Sequence, residues 1–131
     1  GYECPKVAVL AALEKVNPKM PETVDAAALK EMNASGELAN CIVEGPISMD
    51  LTMDPEAAQI KGFSSPVVGN ADIVVVPNIA CGNILNKGLR YLAGSQQVGI
   101  VLGAQVPIVL TSRSASAQSK YLSIAVTSAM I

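Results

Sequence analysis

The sequence predicts an α/β fold. Three observations carry that reading: short runs of Val and Ile recur along the 131 residues, longer stretches of helical period separate them, and Gly, Pro and Asn cluster at the junctions. Half of the residues are hydrophobic. A chain of that length and composition can bury about two-thirds of the surface its unfolded form exposes, enough for one compact domain.

The elements follow in order. Residues 7–13 form the first apolar run, and a Pro-containing loop over residues 17–21 leaves its carboxyl end. A helix is predicted over residues 22–32, with Val24, Ala28 and Leu29 on one face. Residues 41–44 read as a second strand, stopped by Gly45-Pro46 and followed by a polar patch holding Ser48, Asp50 and Thr52. Asp54-Pro55-Glu56 then offers a helix N-cap with proline in the first turn. Residues 63–70, punctuated by Gly, Ser and Pro, read as a loop, and residues 73–76 are the cleanest buried strand, ended by Pro77 and Asn78. The next helix is placed over residues 83–93, with Gly94 as its stop. Residues 98–102 and 108–110 make two more strands, whose short connection over residues 103–107 suits antiparallel neighbours. After Thr111-Ser112-Arg113-Ser114 comes a last helix with Ile124, Val126 and Met130 among its apolar positions.

Composition narrows the function. A net charge of -2 and 3% aromatic residues give neither a field to hold a polyanion nor platforms for stacked bases, so nucleic acid is not an expected partner. Lys61, Asp72, Lys87, Arg90 and Arg113 interrupt every apolar stretch before it reaches the roughly 18 residues of a spanning helix, so no membrane partner is expected. Cys4, Cys41 and Cys81 are odd in number and irregularly spaced, which fits neither a disulfide framework nor a zinc knuckle and points to a reducing, cytoplasmic setting. With no histidine in the chain, every Ser-His or Cys-His nucleophile pair is excluded. The chain opens on Gly rather than Met and lacks the zones of a signal peptide, so it is expected to be a piece of a longer protein.

Ligands of open α/β sheets bind beyond the carboxyl ends of the strands, where helix N-termini present free N-H groups. Two segments fit that position. In the first, Pro77-Asn78-Ile79-Ala80-Cys81-Gly82-Asn83, a strand ends and Gly82 lets the backbone approach an anion; Gly82-Asn83 reads either as such a cradle or as plain helix capping. Arg90, seven residues after Asn83, shares its helix face and reads either as a phosphate donor or as a solvated surface charge. The second segment is Ser112-Arg113, where Ser112 alternatively caps the last helix. Asp50 reads as a turn residue unless something positions it, and Cys81 as a small filler rather than a nucleophile.

The wording of the whole second half adds to these local signals. Gly45-Pro46-Ile47-Ser48-Met49-Asp50, Ala71-Asp72-Ile73-Val74-Val75-Val76-Pro77-Asn78, Gly82-Asn83-Ile84-Leu85-Asn86-Lys87 and Pro107-Ile108-Val109-Leu110-Thr111-Ser112-Arg113 stand in the order of the phosphate acetyl/butyryltransferase family, and the chain resembles that family over nearly its full length, leaning toward the butyryl branch. The resemblance implies reversible acyl transfer between coenzyme A and inorganic phosphate, with CoA, phosphate and acyl phosphate as partners and no metal or prosthetic group. By position, Arg90 and Arg113 match two family arginines and Ser112 their hydroxyl neighbour, as catalytic residues; Asn78, Gly82, Asn83 and Asp50 are placed on the substrate side. The family's architecture is similar to that of isocitrate and isopropylmalate dehydrogenases. The implied fold is therefore a three-layer sandwich with a mixed, mostly parallel sheet, of which residues 1–131 are the C-terminal, second domain. A preceding domain would complete the cleft, and family members resemble homodimers joined through this half, so the chain reads alternatively as an association module inactive alone. Acetyltransferase-type members carry an aspartate a few residues after the Ser-Arg pair, whereas residues 114–120 here hold no acid, which leaves the general base unassigned. A dehydrogenase of the same architecture would need clustered aspartates for a divalent metal, and the sequence offers none.

Overall fold

The structure is a computed structural model describing residues 2–130. The chain divides into two compact units, Gly1–Gly82 and Asn83–Ile131.

The first unit is built on three parallel strands, β1 (Lys6–Leu10), β2 (Ile42–Ile47) and β3 (Ile73–Val75), in the order β2-β1-β3. Parallel strands need crossovers, here helix α1 (Pro21–Ala34) between β1 and β2, then α2 (Met49–Met53) and α3 (Pro55–Lys61) between β2 and β3. Alternation along the central strand sends its side chains to both faces. Ala8 and Leu10 join Ile47, Leu51, Ala58 and Val67 in a cluster beneath α2 and α3, while Val9 joins Ala26 and Val43 beneath α1. The unit is thus layered, helix on sheet on helices, with its burial in β1 and β2; β3, expected to be the cleanest buried strand, stands at the sheet's border with Ile73 exposed and Val74 and Val75 half-buried.

Several boundaries differ from the sequence reading. Strand β1 stops at Leu10, and β2 runs through Gly45-Pro46 instead of ending there. Register shifts at that point, from Ala8 opposite Glu44 to Leu10 opposite Ile47, so β2 carries an extra residue as a bulge. A Cβ on Gly45 would lie 2.9 Å from the Val9 Cβ and 3.2 Å from the Ala26 Cβ, so glycine is what lets α1 sit this close to the sheet. The same approach sets the buried face of α1. Thr23 and Ala26 are buried and Leu29 packs against the same cluster as expected, whereas Val24 and Ala28 lie outward, because only small side chains fit against Gly45. Thr23 tolerates burial because its hydroxyl accepts from the Asn17 N-H and has the Met20 carbonyl at 2.8 Å and the Asn17 carbonyl at 3.1 Å as acceptors for its one proton. At the far end of α1, the Asn33 carboxamide donates to the Leu38 and Cys41 carbonyls and accepts from the Val43 N-H, tying the helix to the start of β2.

The reading missed α2, a single turn entered from Ser48. Helix α3 begins as expected, with Asp54 Oδ1 accepting the Glu56 N-H at 2.9 Å, and stops at Gly62 in the left-handed conformation.

Helix α4 (Ile79–Tyr91) contains the junction between the units. It starts four residues earlier than the sequence reading placed it and ends near Gly94, which has a φ of 67°. In the second unit, β4 (Ile100–Val101) and β5 (Ile108–Val109) pair antiparallel as expected. They form a ladder of their own, so the parallel and antiparallel strands do not belong to one mixed sheet. Gly99 precedes β4 where a Cβ would lie 1.8 Å from the Leu110 carbonyl oxygen; its N-H donates to Ser123 Oγ and its carbonyl accepts from the Leu110 N-H. Helix α5 (Ala117–Ser128) is capped by Ser116, whose hydroxyl accepts the Ser119 N-H, rather than by Ser112. Its buried positions are Ser123 and Thr127, and the apolar Ile124, Val126 and Met130 face outward.

Candidate functional site

The carboxyl ends of parallel β1, β2 and β3 lie along one edge of the first unit's sheet, the edge beyond which open α/β folds bind ligands. Asn78 follows β3 after Val76 and Pro77 and directly precedes α4. Its Oδ1 accepts the Cys81 N-H at 3.0 Å and its carbonyl accepts the Gly82 N-H at 3.1 Å, so Asn78, not the Gly82-Asn83 pair, caps α4. Gly82 lies inside the helix, packed against Val76, and Asn83 lies one residue further along its exposed surface.

The same unit gathers Glu14, Ser48, Asp50 and Lys61, contributed from beyond β1 and β2 and from the helices that follow. Ser48 Oγ approaches Glu14 Oε1 and lies 2.6 Å from Asp50 Oδ1, and its single proton can serve only one of them at a time. Lys61 Nζ compensates the pair, 3.2 Å from Glu14 and 2.9 Å from Asp50. The Ser48 hydroxyl first and the Lys61 ammonium second hold the Asp50 carboxyl down to about 2, and the same hydroxyl chiefly lowers Glu14. Asp50 is therefore positioned, by the Ser48 hydroxyl and by the Lys61 ammonium.

The second unit holds the other predicted residues. Arg90, from α4, and Ser112, after β5, line one small concavity of about 100 Å³ together with Asn86, Gln97, Thr111 and Ser119. The walls include backbone of Gly99 and Leu110, brought close by the glycine. Arg90 Nη2 donates to the Ser114 carbonyl at 2.8 Å, and its guanidinium lies 5.2 Å from the Tyr91 ring centroid, which fixes the side chain and leaves its other N-H donors available. Ser112 Oγ accepts from the Ser114 N-H and shares a hydrogen bond with Ser114 Oγ. Arg90 is the sole ionisable residue lining the concavity, so the site is cationic and free of carboxylate. Arg113 is exposed, beside Ser112 in sequence, and takes no part in the ion pairs among the described residues.

A larger concavity of about 280 Å³ lies along the β4–β5 connection, lined by Leu102, Val106, Ile108 and Met130 among others. Among the described residues its lining holds no ionisable side chain. Asn86, Gln97, Thr111 and Ser119 went unread as site residues. Asn86 was legible, standing four residues before Arg90 and so one turn away on the same face, whereas Gln97 and Ser119 reach the site only through tertiary folding. Among the described residues, no group of three or more His, Cys, Asp or Glu side chains converges as a metal site, and no helix is long and apolar enough to cross a membrane.

Comparison with known proteins gives a consistent picture. The profile described as Phosphate acetyl/butaryl transferase matches residues 1–128. The chain is 50% identical over 125 residues to the phosphate acetyltransferase of Thermotoga maritima, and 46% identical over 125 residues to the phosphate butyryltransferase of Clostridium acetobutylicum. Each alignment takes in 95% of this chain and 42% of the relative, so the chain spans less than half the length of these proteins. The crystal structure of a branched-chain phosphotransacylase from Enterococcus faecalis superposes with a TM-score of 0.85 at 41% identity, covering 98% of this chain and 46% of that one.

Proposed function

The chain belongs to the Phosphate acetyl/butaryl transferase family, and on that premise we propose that it supplies the phosphate-holding part of a cleft in which an acyl group passes between coenzyme A and inorganic phosphate. The observation that carries this reading is the carboxylate-free concavity around Arg90, with the Ser112 hydroxyl on its wall and Arg113 next in the chain. In the direction of acyl-CoA synthesis, the CoA sulfur attacks the acyl phosphate carbonyl. A carbon–sulfur bond forms, the carbon–oxygen bond to phosphorus breaks, and phosphate departs with the electron pair while the thiol proton is released. Negative charge grows on the leaving phosphate, and guanidinium donors stabilise it most where water is excluded. Arg90 and Arg113 take that role, with Ser112 as a further donor. The displacement transfers no electrons to a cofactor, so CoA enters as a substrate. Asp50, held near 2, has too little proton affinity to accept a thiol proton near neutral pH, which favours the positive field of the arginines or a group outside this chain as the thiol's activator. Kinship with the isocitrate and isopropylmalate dehydrogenase architecture, a cleft completed by a preceding domain, and a cytoplasmic setting belong to the same proposal.

Calorimetric titration of the chain with CoA, acetyl phosphate and butyryl phosphate at low salt tests it. Arg113→Ala is expected to weaken binding of the phosphate-bearing ligands about tenfold or more, as loss of a charge-assisted pair implies. Unchanged affinity in a folded Arg113→Ala chain overturns the assignment.

A second reading has its own observation. Leu92 is 90% exposed, Ile84 73% and Ile124 57%, and α4 buries no residue. Such apolar exposure fits a chain that also associates with a second copy. Light scattering on Ile124→Glu, expected to shift a dimer toward monomer, tests that reading separately.

A further inference from the structure

The polar side chains of the Arg90 concavity divide into those already engaged and those not. Arg90 Nη2 serves the Ser114 carbonyl, Ser112 Oγ the Ser114 backbone and hydroxyl, Gln97 Nε2 the Asn86 carbonyl, and Ser119 Oγ accepts from Ser116 Oγ. The Asn86 carboxamide and the Thr111 hydroxyl make no hydrogen bond among the described residues, although both residues line the cavity. We propose that Asn86 and Thr111 are further anion-contacting residues, donating to phosphate oxygens beside Arg90 and Ser112; this rests on the function proposed above and adds to it the residues that read the shape of the phosphate.

The physical case has three parts. A concavity of about 100 Å³ has room for a compact tetrahedral oxyanion. Asn86 stands one helical turn before Arg90, so α4 presents a carboxamide with two donors and a guanidinium on one face. Thr111 is half-buried and directly precedes Ser112, so the exit of β5 places two consecutive residues of hydroxyl chemistry on the cavity wall. In the free chain both groups spend their donors on water, and a phosphate oxygen replaces that water without leaving a donor unpaired. Gln97, holding the Asn86 carbonyl, pins the segment before β4 to this helix and sets the cavity's width.

The test is a titration of the 131-residue chain with inorganic phosphate at low salt, at about pH 6 and about pH 8, between which phosphate gains negative charge. Asn86→Asp changes shape little and adds a carboxylate. It is expected to weaken phosphate binding about tenfold or more, and more at the higher pH, because charge repulsion grows with the charge on the ligand. Gln118→Glu adds the same charge at a site outside the cavity and is expected to change affinity less than about twofold, as screened surface charges do. Thr111→Val removes the hydroxyl at nearly constant volume and costs about three- to tenfold, while Thr111→Ser, which keeps the hydroxyl, binds as the parent does. If Arg113→Ala weakens binding but Asn86→Asp and Thr111→Val bind like the parent, this inference fails and the proposed function stands. A folded parent chain that binds no phosphate overturns both.

Discussion

The two units differ in what they bury. Every buried apolar residue among those described lies in the first unit, from Ala8 to Val67, on both faces of the parallel sheet. In the second unit the buried residues are Ser123 and Thr127, whose hydroxyls return to carbonyls of their own helix at 2.7 and 2.6 Å. The first unit therefore draws stability from the area it removes from water, whereas the second holds its shape through hydrogen bonds and close backbone approach, with its apolar side chains turned outward. The candidate phosphate pocket sits in the unit with the smaller core. Binding sites are commonly drawn from such low-stability regions, which reorganise at little cost.

The largest effect that would test this contrast comes from matched truncations. Ile47→Ala, in the first unit's core, is expected to lower unfolding stability by about 2–5 kcal/mol, against about 0.5 kcal/mol or less for Ile124→Ala on the exposed face of α5, both read from urea midpoints. Comparable losses would mean that the outward face of α5 is covered in solution. Gly45→Ala sharpens the point within the first unit. Its new methyl meets Val9 and Ala26, so a loss of about 1–3 kcal/mol is expected, with α1 displaced from the sheet.

The smallest effect concerns the Glu14–Ser48–Asp50–Lys61 cluster. A carboxyl depressed below its unfolded value of about 4 contributes stability that is complete above that pH and disappears as pH falls toward about 2. Ser48→Ala removes the largest cause of the shift in both Asp50 and Glu14. The acid limb of stability between about pH 4 and about pH 2 is then expected to flatten, while stability near neutral pH changes little, as urea midpoints across that range would report. An acid limb as steep as the parent's would place the shift elsewhere.

The sequence made some of this legible and concealed the rest for identifiable reasons. Parallel strands read well because their Val and Ile runs are local and continuous, although in β3 those residues are exposed or half-buried, and Asp54-Pro55 announced α3 because its cap is purely local. The start of α4 was misplaced because Gly82 looked like an opening turn, although Asn78 had already capped the helix through its side chain. The buried face of α1 was read correctly at Leu29 but not at Val24 and Ala28, because it is chosen by Gly45, a residue nearly twenty positions away, and no helical period reports that. For the site, Arg90 and Ser112 do come together on one cavity wall, as their chemistry suggested, while Gln97 and Ser119 arrive through the Gly99 contact and had no local signature.

Strand β2 forms one border of its sheet, and a border strand ordinarily offers its outward N-H groups to any passing chain. Here the Val43 N-H is already taken by Asn33 Oδ1 at 3.0 Å and the Gly45 N-H by Glu44 Oε1 at 3.1 Å. The side chains that join α1 to the sheet also occupy the donors that fibril-like stacking would recruit, and the bulge at Gly45-Pro46 breaks the strand's straight run. Self-association of this protein through β2 would first have to break those bonds, which makes this border a poor template for cross-β growth.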